Sequence, residues 1–368
     1  YAARDFGANY LKSCDEEAII FCNGDNDTFP LWYNLEVEQE RDDVRACNLS
    51  YLQTDWYISQ MKRPYYNSPG LPISWEYKDY MPGKNEIACV ENRLNAPLEV
   101  KKAFQFLLSD DPRTKRDGDS YIPTDQLYVL SPDGQQIMLK KARRFTRSEM
   151  MVMEMLSTNE WKRPMYFATT IGSDYHLGLD PYLELTGMAY RITPTRSADG
   201  RPRVNTEVMY DNMMNKFRYG NVNKPGIYLD ENTLRMCRTH RMMFSELAEA
   251  LYEEGKYEKA IAVLDYAEEM LPGYNVSYDY TSASMAALYY ALDEMEKGSA
   301  IMNQVAANAV EYLEWGSSLE PASRKATQST IGHYSAVLGF VLNNLQRFEQ
   351  KELFNKYFEL YSQYASVR

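Results

Sequence analysis

Five consecutive residues, Gly24-Asp25-Asn26-Asp27-Thr28, stand directly behind a short apolar segment and ahead of a helical one. Two carboxylates one residue apart suit two chemistries: hard oxygen ligation of a divalent cation, or general-base work beside a hydroxyl group. The same residue types also serve structure alone, since Asp and Asn in such loops cap helices and form Asx turns. The phosphotransferase signature Asp-x-Asp-x-Thr is not met, because Thr28 follows Asp27 without a spacer. Other polar residues end neighbouring apolar segments: Asn48 and Ser50 after one, Thr169, Thr170, Ser173 and Asp174 after another, with His176 just beyond. If these segments are parallel strands, the loops converge where open α/β sheets bind ligands, beyond the carboxyl ends. The candidate ligand-binding set is therefore Gly24, Asp25, Asn26, Asp27, Thr28, Asn48, Ser50, Thr170, Ser173, Asp174 and His176. No metal site is assigned. A metal ion would have only Asp25 and Asp27 to hold it.

Other chemistries lack their residues. The five cysteines, Cys14, Cys22, Cys47, Cys89 and Cys237, form no CxxC or Cys/His cluster. The glycine fingerprints of nucleotide sites and the Gly-x-Ser-x-Gly elbow are absent, so no cofactor is expected. His240 and His333 lie far from His176, and His240 suits a structural place in its helix. The formal net charge of −12, without a basic stripe, argues against nucleic acid as a partner. Arg143, Arg144 and Arg147, beside Glu149 and Glu154, read as a solvated helix start. Tyr65, Tyr66, Trp75, Tyr77 and Tyr80 crowd a proline-rich stretch, where aromatic rings either stack on sugars or pin a long loop. Packing is the favoured reading, because a loop of that length needs anchors.

The elements that must position these residues alternate in the first half. Residues 17–23 (EAIIFCN) and 44–50 (VRACNLS) read as buried strands, followed by helices over 31–39 and 54–62. Residues 63–85, with four prolines and two glycines, read as an ordered excursion over the sheet. A helix over 97–109, a hairpin of 126–130 with 136–140 around Ser-Pro-Asp-Gly, a helix over 147–158 and a strand over 165–170 follow. Residues 187–193 read as an edge strand and 197–205 as a loop near a boundary. The fold class is α/β, a mostly parallel, three-layer, Rossmann-like sheet over residues 1–200, then an all-α region over 201–368.

Residues 241–274 fit a 34-residue tetratricopeptide repeat, with Leu247, Ala248, Gly255, Tyr257, Ala260, Leu264, Ala267 and Pro272 in the expected places. Ala248 and Ala260 allow two helices close approach, Gly255 opens the turn and Pro272 ends the second helix. Weaker copies follow, as stacking requires. A protein or peptide is the partner expected in such a groove. No apolar run reaches the ~20 residues that span a bilayer. The first residues, from Tyr1, carry no leader pattern, which suggests a piece of a longer protein.

Several strings, AIIFCNGDNDTFPLWY, RDDVRACNLSYLQTDWY, RPMYFATTIGSDYHLGLDPYLELTGMAYRITP and VMYDNMMNKFRYGNV among them, resemble the C-terminal region of bacterial multi-spanning membrane proteins of the protein O-mannosyltransferase-like domain-of-unknown-function family. The resemblance implies a membrane-embedded N-terminal half, similar to lipid-linked-sugar glycosyltransferases, that carries the transfer chemistry and is this region's partner. It implies a place in the cell envelope, at the inner membrane with this region periplasmic. No catalytic residue comes with it. An accessory module that holds a glycan or acceptor is the leading reading. The alternatives are an independent carboxylate-based hydrolase or transferase site at the GDND loop, and a scaffold that only organises a complex.

Overall fold

The computed structural model describes residues 1–365, which divide into two compact units, the first Tyr1–Gly220 and the second beginning at Asn221. The first begins with α1 (Ala2–Lys12), β1 (Ile19–Cys22), α2 (Asp25–Tyr33), β2 (Arg45–Asn48) and α3 (Asp55–Met61). An excursion follows, through α4 (Tyr77–Tyr80), β3 (Ile87–Val90), β4 (Leu98–Glu99), α5 (Val100–Leu108), β5 (Lys115–Arg116), β6 (Asp119–Ile122), β7 (Leu127–Leu130), β8 (Gln136–Met138) and β9 (Arg144–Thr146). Helix α6 (Arg147–Asn159) leads back to β10 (Met165–Ala168), then β11 (Leu183–Leu185), β12 (Ala189–Ile192), β13 (Arg203–Val204) and α7 (Thr206–Asp211).

The main sheet has the order β13-β11-β12-β10-β1-β2. Strand β1 runs parallel to both β2 and β10, whereas β12 is antiparallel to its two neighbours. Strands β1, β2 and β10 are buried along their whole length, which is why they read as unbroken apolar runs rather than alternating ones. Register sets the faces: Ile20 lies beside Ala46 and Tyr166, and Phe21 beside Cys47 and Phe167. The excursion builds two smaller sheets, β5-β6-β3-β9 and β4-β7-β8.

Three expectations change here. Residues 187–193 supply β12, which lies inside the sheet between β10 and β11, not at an edge. The segment 197–205, expected as loop, ends in β13, whose Arg203 and Val204 pair with Glu184 and Leu185. Helix α2 starts at Asp25, so the acidic loop is itself the helix's first turn. The expected hairpin is present as β7 and β8, with Val129 opposite Ile137.

The second unit is all-helical: α8 (Glu231–Glu253), α9 (Tyr257–Met270), α10 (Tyr280–Ala291), α11 (Met295–Ser318), α12 (Pro321–Ala326), α13 (Gln328–Arg347) and α14 (Lys351–Ala365). Gly255 takes φ 73° in the turn joining α8 to α9, a conformation that favours glycine. Leu247, Ala248, Ala260 and Leu264 are fully buried. Arg241, 1% exposed, donates to the carbonyls of Leu271, Val276 and Ser277 and so ties the chain after α9 to α8.

Candidate functional site

Gly24 adopts φ 83° at the start of α2, and an added side-chain carbon there would meet nothing, so the glycine serves the backbone turn rather than close packing. Asp25 and Asp27 fall in the first turn, where a helix favours negative charge. Their environments then diverge. Asp25 and Asn26 are exposed, whereas Asp27 is 4% exposed. Its carboxylate accepts from the hydroxyls of Tyr10, at 3.5 Å, and Thr170, at 2.5 Å, and those two hydroxyls lie 3.0 Å apart. Burial raises the Asp27 pKa above its ordinary value, and the Thr170, Tyr10 and Asn23 donors oppose that shift. Tyr10, fully buried in α1 beside this carboxylate, has its phenol pKa pushed well up by burial.

Thr28 and Asn48 form a second buried group. The Thr28 hydroxyl donates to the Gly24 carbonyl at 2.8 Å and accepts from Asn48 Nδ2 at 2.7 Å. Asn48 Oδ1 accepts from the Tyr51 N–H, and its own N–H donates to the Tyr57 phenol oxygen. The Ser50 hydroxyl donates to Asn23 Oδ1 at 2.6 Å, and the Asn23 N–H donates to the Asp27 carboxylate, so Ser50 joins the Asp27 group. Asp27, Thr170 and Ser50 therefore share one network and Gly24, Thr28 and Asn48 a second, and the buried members of both are bonded to the chain itself.

The third loop contributes less than its sequence position suggests. Ser173 and Asp174 are exposed in a single 3-10 turn, where the Asp174 carbonyl accepts from Lys140. His176 is buried on the opposite face of the sheet. Cys22 shares a face with Ile20 and touches Thr28, whereas His176 packs on Phe167, with ring centroids 5.0 Å apart, and Phe167 pairs with Phe21. Its Nδ1 lies 2.9 Å from Asp180 Oδ1. The two-residue period of a strand separates His176 from Asp27 although both follow neighbouring strands. Among the described residues no three His, Cys, Asp or Glu side chains gather as a metal site.

Two readings of the surroundings change. Arg147, expected in solvent, is 3% exposed and donates to the carbonyls of Gln53 and Lys84 at 2.6 Å each. Of the crowded aromatics, Trp75 and Tyr80 are buried anchors, but Tyr65, Tyr66 and Tyr77 are 43%, 52% and 54% exposed. Trp75 and Tyr80 thus anchor the stretch by burial, whereas Tyr65, Tyr66 and Tyr77 tie it down through hydroxyls bonded to Glu36 and Asp55. His240 is buried, bonded to the Met236 carbonyl of its own helix, and its pKa is lowered by burial to about 4.

Sequence reasoning missed a group at the outer edge of β2. Trp32, Glu36, Arg45, Trp56, Gln60, Tyr65 and Tyr66 line a cavity of about 210 Å³. The signal was present, because Trp32 with Glu36 and Trp56 with Gln60 are each one helical turn apart.

No helix among the described residues is long and apolar enough to cross a membrane. No curated protein and no solved structure matches the chain. The family described as TMEM260-associated domain 2 matches residues 3–138 and 133–211, a span that takes in the main sheet with both smaller ones. By that match, over more than half its length, the chain belongs to the TMEM260-associated domain 2 family.

Proposed function

We propose that the chain is an accessory binding module of a membrane protein, in which the helical unit, a tetratricopeptide-like array, holds a stretch of acceptor polypeptide. The membrane-embedded remainder, resembling a lipid-linked-sugar glycosyltransferase, performs the transfer, on the periplasmic side of a cell envelope. One observation carries this reading. A cleft of about 470 Å³ in the helical unit is lined by Arg238, Tyr278, Asn308, Glu311, Tyr312, Trp315 and Tyr334, from α8, α11, α13 and the segment before α10. Tyr312 and Tyr334 stack in parallel with centroids 3.9 Å apart, and Trp315 is 44% exposed. Rigid aromatic faces beside Asn and charged groups suit a polypeptide, whose side chains and amides need both. Family membership supports association with a membrane protein.

The GDND loop supports binding or structure better than turnover, because Asp27 is engaged by two hydroxyls and Asp25 faces solvent away from it. The test uses the intact membrane protein, supplied with its sugar donor and acceptor polypeptides from its own envelope. Trp315→Ala combined with Tyr334→Ala raises KM for the acceptor about tenfold and leaves kcat in place, as loss of uniform binding should. An unchanged KM removes the reading. If Asp27→Asn abolishes turnover while the fold is intact, the carboxylate-site alternative replaces it.

A further inference from the structure

We infer that the cavity at the outer edge of β2 binds a single neutral pyranose ring. The inference deepens the binding-module reading and rests on it, but it concerns the α/β unit and not the helical cleft. The cavity is built from three sides. Helix α2 and the widened π-type turn that continues it over Asn34–Glu38 supply Trp32 and Glu36, α3 supplies Trp56 and Gln60, and the start of the excursion supplies Tyr65 and Tyr66. Arg45 of β2 lies among the lining residues.

Three observations select the ligand. The first is an aromatic face with nothing packed over part of it. Of the rings that line the cavity, Trp32 packs on Tyr51 and Trp56 on Tyr57, with centroids 6.0 and 5.4 Å apart, and Trp56 remains 53% exposed. A large, part-exposed ring held in place by its neighbours suits the apolar C–H face of a sugar. The second is hydrogen-bonding capacity at the rim. Glu36, an exposed residue, accepts at Oε2 from the hydroxyls of both Tyr65 and Tyr66, at 2.8 and 2.9 Å, and Asp42 also lines the cavity. The third is Arg45, 4% exposed, whose Nη1 is buried without a partner although Nε and Nη2 are engaged by Met61, Gln60 and Arg63. Its guanidinium lies over the Tyr65 ring at 5.4 Å, and no carboxylate bonds to it. A buried donor without an acceptor is costly, so a ligand oxygen at this point is favoured.

Charge narrows the class. An ammonium ligand would meet the Arg45 guanidinium, and a phosphate would meet Glu36 and Asp42 with one cation to offset them. A neutral polyol satisfies acceptors and donor together. The volume, below the roughly 300–1,000 Å³ of sites for drug-sized ligands, admits one ring and not an extended chain.

The experiment is ligand-observed and protein-observed NMR titration of the full chain with methyl glycosides of glucose, galactose, mannose and N-acetylglucosamine, with inorganic phosphate and tetramethylammonium as comparisons. At least one glycoside is expected to bind with shifts centred on Trp32, Trp56 and Tyr65. Trp56→Ala, at a position 53% exposed, weakens that binding about tenfold with the remaining protein shifts retained, and Glu36→Gln weakens it less. Tyr334→Ala in the helical cleft leaves it unchanged. Absence of binding by every glycoside at about 50 mM, the upper end of weak affinities, overturns the inference. So does glycoside binding indifferent to Trp56→Ala, or tighter binding of phosphate or tetramethylammonium at the same residues. Failure here leaves the acceptor dependence on Trp315 standing, and failure there leaves glycoside binding standing, so the two readings fall separately.

Discussion

At the residue scale, Asp27 is a carboxylate that looks reactive in sequence and accepts hydrogen bonds from two hydroxyls in the fold. Removing it in Asp27→Ala leaves the Tyr10 and Thr170 hydroxyls without their acceptor and is expected to cost about 1–3 kcal/mol, measured by denaturant unfolding. Asp27→Asn separates charge from shape. Because the folded pKa is raised above 3.8, the folded chain retains a proton that the unfolded chain has released. Stability from that group is complete below 3.8 and is lost as pH rises through the folded pKa. The Tm difference between Asp27→Asn and the wild type should therefore move in favour of the variant between about pH 3.5 and pH 7; a difference that moves the other way contradicts the burial account. The cysteines give a simpler expectation. Cys14, Cys22, Cys47 and Cys237 are buried, and burial pushes the Cys22 and Cys237 thiols up to about 12 and about 11, while Cys89 is exposed. A maleimide should label Cys89 alone in the native chain and all five cysteines after unfolding. Residue types and chain order pointed to the GDND loop and to its neighbours Asn48 and Thr170. The split between its members did not show, because burial and sheet face depend on register, which no local pattern encodes.

At the element scale, apolar runs and glycine turns carried most of the information. Strands β1, β2 and β10, the β7–β8 hairpin and the α8–α9 pair follow from local patterns. Strand β12 was misplaced at an edge because only tertiary pairing with β11 and β10 makes it interior. The buried arginines were equally invisible, since a guanidinium that binds main-chain carbonyls has no partner residue type to recognise. Arg241→Met should destabilise the helical unit by about 3–5 kcal/mol, read by thermal unfolding, because it leaves three loop carbonyls without donors. Packing of α1 on α2 supplies a sharper test. A side-chain carbon on Gly7 would lie 2.3 Å from the Pro30 carbonyl oxygen, so Gly7→Ala must push the helices apart. The expected loss is about 1–3 kcal/mol, and a neutral result would place the two helices farther apart than described.

At the scale of the whole molecule, the extent of the first unit was less legible than its fold. Residues beyond 200 complete it: Asn212 donates to the Thr186 carbonyl, Arg218 pairs with Asn9, and the Gly220 N–H donates to Asp5. These contacts join segments far apart in sequence, which composition shifts near residue 200 cannot reveal. A fragment of residues 1–220 is expected to unfold in one cooperative transition by calorimetry, and a fragment of 1–200 to lose it. The strand order has a further consequence, in time rather than space. Strand β1 is made early, but its neighbour β10 follows only after the entire excursion, so that Ile19 waits for Met165. At about 5–20 residues per second, a ribosome needs on the order of 7–30 s to deliver that partner. During that interval one flank of an unusually apolar strand lies bare in the growing chain, and a translation pause or a chaperone contact within the excursion would set how much of the newly made protein survives to close its sheet.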